Sequence, residues 1–68
     1  MTAIDHKEQT IESLQSVTAH LYRGMRDFEE MGDTESERWC RDARRRVWAL
    51  INEIEGEIAA ETNGADTQ

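Results

Sequence analysis

Trp48 follows Arg44 by four residues and Arg41 by seven, so on a helix all three share one flank, with Arg45 close beside them. An indole next to an arginine surplus can grip a planar or anionic ligand, by stacking on its face and by forked guanidinium contacts to its oxygens. Arg41, Arg44, Arg45 and Trp48 are therefore the candidate ligand- or partner-binding residues, and a phosphate-bearing nucleotide is the ligand class they fit. The competing reading is an exposed helix laced by the i, i+4 pairs Glu37–Arg41, Arg38–Asp42 and Asp42–Arg46. Trp39 lies nine residues before Trp48, about half a turn round a helix, so the two indoles border opposite edges of one apolar face.

Other reactive side chains form no recognisable machinery. Cys40 is the single cysteine and falls on an apolar face, where a free thiol acts as a small hydrophobe. His6 and His20 stand fourteen residues apart without a carboxylate spacing that repeats as a ligand motif, and read as surface histidines. Glu53 and Glu57 are one turn apart, but a carboxylate-bridged metal site in a bundle also needs Glu-x-x-His elements. With no Ser/His/Asp set and no glycine-rich phosphate loop, the expectation is a protein that is not an enzyme and takes no cofactor or metal.

Two blocks of apolar residues at helical spacing must position these groups. In the first, Ile4, Ile11, Thr18 and Met25 fall in one core register, and Lys7, Leu14, Leu21 and Phe28 in the other, with Val17 and Met31 widening the stripe. The second reads Cys40, Ala43, Val47, Leu50 and Ile54, thickened by Ile51 and Ile58. Gly32 suits a left-handed C-cap, and Thr34 with Glu37 forms a candidate capping box. The predicted fold is all-α: helix 1 over about 3–31, a turn at 32–34, helix 2 over about 35–61, and a disordered acidic tail over 62–68. The short connection makes the helices antiparallel neighbours.

A hairpin this small buries little, and a lone cysteine cannot staple it. The predicted answer is self-association as an antiparallel homodimeric four-helix bundle, with Ile11, Leu14, Leu21, Met25, Phe28, Cys40, Ala43, Val47, Leu50, Ile51, Ile54 and Ile58 as hairpin and dimer core. Charge supports that orientation. Residues 1–32 carry six acidic groups against three basic, residues 33–48 four against five, and residues 49–68 five against none. The turn half is thus relatively basic and the open half acidic, and turning one copy end for end sets unlike halves together.

In length, short turn and expected dimer the chain resembles the plasmid copy-number regulators of the Rop type, which implies a four-helix dimer. Its outward helix 1 face carries Asp5, Glu12, Ser16, His20 and Asp27, so an RNA-binding role is not implied. Arg38-Trp39 and Trp48-Ala49-Leu50 resemble, in type, the Arg and Trp sites of small helical phage proteins that sequester cyclic nucleotides. A net charge of −7 opposes general affinity for nucleic acids or anionic membranes. The longest apolar run, Val47–Ile51, is too short to span a bilayer, and a cytoplasmic location is expected. The expected function is that of a small regulatory or adaptor protein that binds itself and another protein through an acidic helical surface, for instance by blocking a basic nucleic-acid-binding site. The alternative is a helical oligomer that sequesters a phosphate-bearing ligand at the Arg/Trp patch.

Overall fold

Two helices, α1 (Ala3–Met31) and α2 (Thr34–Asp66), pack side by side as an antiparallel hairpin. This computed structural model describes residues 2–66. No helix in it is long and apolar enough to cross a membrane, among the described residues.

Local chemistry starts and stops each helix. At the N-terminus of α1, the Asp5 N–H donates to the Thr2 hydroxyl (3.1 Å) and the Thr2 N–H donates to the Asp5 carboxylate (3.2 Å), a reciprocal capping box. Its C-terminus closes on Gly32 at φ 76°, a conformation that costs L residues more than glycine. The Gly32 N–H donates to the Glu29 carbonyl (3.1 Å) and the Asp33 N–H to the Phe28 carbonyl (2.9 Å), which together satisfy the last turn of α1.

Asp33 then caps α2, its carboxylate accepting the Ser36 N–H at 3.1 Å. The turn is therefore Gly32 and Asp33 alone. Thr34, expected as the cap, is already helical, because the stronger Asp cap starts the helix one residue earlier. At the other end, α2 continues to Asp66 where the sequence suggests a tail from residue 62. Ala59, Ala60 and Glu61 are good helix formers, and Asn63-Gly64 lowers helical propensity without blocking propagation. Thr67 and Gln68, the rest of that expected tail, lie outside the described residues.

The seam between the helices follows a three-four repeat on both. On α1 it runs Ile4, Lys7, Ile11, Leu14, Thr18, Leu21, Met25 and Phe28, the two registers expected from sequence. On α2 it runs Glu37, Cys40, Arg44, Val47, Ile51, Ile54 and Ile58. The expected stripe shifts in part: Arg44 is half-buried alongside Ala43, and Ile51, expected to thicken the stripe, is its most buried member. Ile51 is fully buried and Cys40 nearly so, but Leu50 is 44% exposed. Once Glu37 and Ile58 are included, the repeat that spans the whole helix has a different phase from the one read from its middle.

Among the described residues, Cys40 and Ile51 are the only buried apolar side chains; Thr18 and Glu37 are buried polar members of the seam, and the remaining seam residues stay half-buried. The hairpin exposes 5233 Å², against about 4,400 Å² for a folded monomer of this mass by the usual scaling.

Candidate functional site

Three of the four polar seam residues, Thr18, Glu37 and Arg44, lie in the turn half, and the fourth is Lys7 at the open end. Glu37 is buried, and its carboxylate accepts a hydrogen bond from Arg41 one turn on. Of the three i, i+4 pairs expected on α2, this is the one the structure closes, and it is not the exposed lacing pair anticipated. Glu37 faces α1 while the Arg41 head remains largely in water, which limits what the pair contributes to stability.

Arg44, next along the seam, lays its guanidinium over the Tyr22 ring of α1, with Cζ 5.2 Å from the centroid. Arg26 approaches the same ring at 6.0 Å and donates to the Tyr22 hydroxyl at 3.3 Å. That hydrogen bond holds the Arg26 guanidinium above its ordinary pKa. Nε of Arg44 is buried without a hydrogen-bond partner among the described residues. One tyrosine thus organises two arginines across the helix pair, and a shallow depression beside it is lined by Tyr22, Met25, Arg26, Glu29 and Glu30.

The four residues singled out in sequence are partly brought together. Arg41, Arg44 and Trp48 lie on the flank of α2 that borders Tyr22, and Trp48 stays 38% exposed. Arg45 is exposed and turned further from the seam, outside the Tyr22 cluster. Sequence reasoning missed Tyr22 and the seam position of Arg44. The available signal was the unbroken three-four spacing of residues 37, 40, 44, 47, 51, 54 and 58. Comparison of the chain with protein-family models, with curated proteins and with solved structures gives no match. The site's cations can hold an anion or a planar group, but Glu29 and Glu30 line the same depression and oppose an anion there.

At the open end, Lys7 occupies a seam position and reaches both Glu57 (3.2 Å) and Glu61 (2.5 Å) on α2. Hydrogen bonding to Glu61, then to Glu57, raises the Lys7 pKa above the ordinary lysine value. Around this fork Asp5, Glu8, Glu12, Glu53 and Glu55 are all exposed. His6 and His20 are exposed as well, and Cys40 is a buried free thiol.

Proposed function

We propose that this chain is a small non-enzymatic regulatory or adaptor protein. It assembles as an antiparallel homodimeric four-helix bundle and binds a protein partner with a basic surface through its acidic open half. The observation that carries the reading is the charge of that half. Asp5, Glu8, Glu12, Glu53, Glu55, Glu57 and Glu61 are all exposed there, and Lys7, the one basic residue among them, is already engaged by Glu57 and Glu61. Such a surface attracts and orients a basic partner, including one whose basic patch otherwise holds nucleic acid.

The test uses the wild-type chain and a Glu8→Gln, Glu12→Gln, Glu53→Gln, Glu55→Gln variant as baits in host lysate, followed by quantitative mass spectrometry. The expected result is enrichment of a basic protein that salt or added nucleic acid releases and the variant fails to capture. Equal capture by the variant overturns the reading.

The second reading, a binder of phosphate-bearing small ligands, is favoured by the partnerless Arg44 Nε beside the Tyr22 platform. Arg44→Ala and Trp48→Ala should then abolish nucleotide binding in calorimetry with helicity intact. Failure of the wild-type chain to bind any nucleotide rejects it.

A further inference from the structure

The two broad faces of the hairpin differ in kind. One carries Val17, Gly24 and Met31 from α1 and Trp39, Ala43 and Leu50 from α2, all on the same side of the seam by helical geometry. Its large side chains are 41% exposed at Val17 and 68% at Trp39. On the opposite face stand Tyr22 with its two arginines, the exposed pair-forming Arg41, and the exposed Glu8 and Glu55. The first face has charges too, Asp42 and Arg46 beside Trp39 and Ala43, and Glu57 one heptad beyond Leu50, but its apolar residues form the longer row, so covering it removes more apolar surface from water.

We propose that the Val17–Leu50 face docks a second copy of this chain, face to face, with the two turns at opposite ends. The proposal rests on the self-association reading above and names its surface and register. Area is the first support. The hairpin exposes about 800 Å² more than its mass predicts, close to one partner's share of a standard interface.

Charge is the second, and it selects the orientation. A two-fold axis between facing hairpins runs either along the helices or across them. Along the helices, the turns coincide and the two open halves lie together. The open half, residues 1–17 and 48–68, holds eight acidic residues and Lys7, hence the whole net charge of −7. The turn half, residues 18–47, balances seven arginines against seven acidic residues. An axis across the helices sets each acidic half on a neutral one and avoids setting −7 against −7. It also brings Arg46 to the level of the acidic Glu53–Glu57 stretch on the second copy.

That axis makes a specific demand. It stacks α1 on the second α1 and α2 on the second α2, each antiparallel, so residues midway along a helix meet their own counterparts. Val17 is the midpoint of Ala3–Met31 and Leu50 the midpoint of Thr34–Asp66. With Cys40→Ala as background, Leu50→Cys and Val17→Cys should each convert most of the chain to a covalent dimer, by oxidation or with a short bismaleimide. Trp48→Cys, on the opposite face, should remain uncoupled, and circular dichroism should report all three as helical as wild type.

Coupling of Trp48→Cys in place of Leu50→Cys overturns the face. Coupling only in a mixture of Val17→Cys with Leu50→Cys overturns the orientation, because it needs α1 stacked on α2. Sedimentation separates this inference from the reading beneath it. A wild-type dimer whose Leu50→Cys form stays uncoupled rejects the face alone, and a wild-type monomer rejects self-association as well.

Discussion

The turn half and the open half of the hairpin are held together by different means. Near the turn, specific polar devices sit at or beside the seam: the Gly32–Asp33 link, the buried Glu37 with Arg41, and Arg44 on Tyr22. Toward the open end the seam is almost wholly aliphatic, with Ile4, Ile11 and Leu14 facing Ile51, Ile54 and Ile58, and its one charged member, Lys7, is tied to two glutamates. The lesson is a division of labour. Directional polar groups define how the chain reverses and in what register, while non-directional apolar burial supplies most of the cohesion further out.

The comparison breaks most visibly at Ile51, the one fully buried side chain among the described residues. Ile51→Ala should cost about 2–5 kcal/mol, the usual range for emptying a well-packed aliphatic site, read as a fall in the chemical-denaturation midpoint. A loss under about 1 kcal/mol would mean that the open half is not where cohesion resides. Next in size is Glu37→Met, which fills a seam position with apolar volume and releases the largely exposed Arg41 head to water. It should stabilise the hairpin by about 1–2 kcal/mol, because exchanging a buried ionic group for a hydrophobe is often favourable. A clear loss would give the Glu37 carboxylate a larger part in cohesion than its pairing with Arg41 suggests.

Smaller again is Gly32→Ala, which forces a side chain into the left-handed region at the turn. It should cost about 1 kcal/mol and leave the open half unchanged in residue-resolved hydrogen exchange. The smallest effects are in pH, where the two ends should respond at opposite extremes. Hydrogen bonds from the Ser36 side chain and backbone hold Asp33 below the usual carboxylate range, so its cap contributes above the unfolded-state pKa and is lost as pH falls through the folded one. The raised Lys7 contributes fully below its unfolded-state pKa and is lost as pH rises through its folded one. An NMR titration should show the start of α2 loosening in acid and the Lys7–Glu57–Glu61 fork loosening in strong alkali. Simultaneous loss of both at one extreme would contradict the assignment.

Much of the fold was legible in the residues themselves. The α1 registers and the Gly32 reversal each depend on contacts within a few positions, and local chemistry is written locally. The phase of α2 was harder. Leu50 is as apolar as any seam residue, and periodicity alone does not say that it stays exposed while Arg44 is half-buried. The candidate site was half legible for the same reason: Arg41, Arg44 and Trp48 share a flank by spacing, but Tyr22 lies on the other helix, more than twenty positions away from Trp48.

By itself, the sequence determined that two amphipathic helices form, where the chain reverses, and that the net negative charge collects at the open end, because periodicity, capping and charge are properties of short segments. Only the tertiary structure decided which residues of α2 enter the seam, that Glu37 is buried with Arg41 as its partner, and that Arg44 rests on Tyr22. Those outcomes depend on how α1 and α2 are rotated against each other, and that rotation is set by packing both surfaces at once.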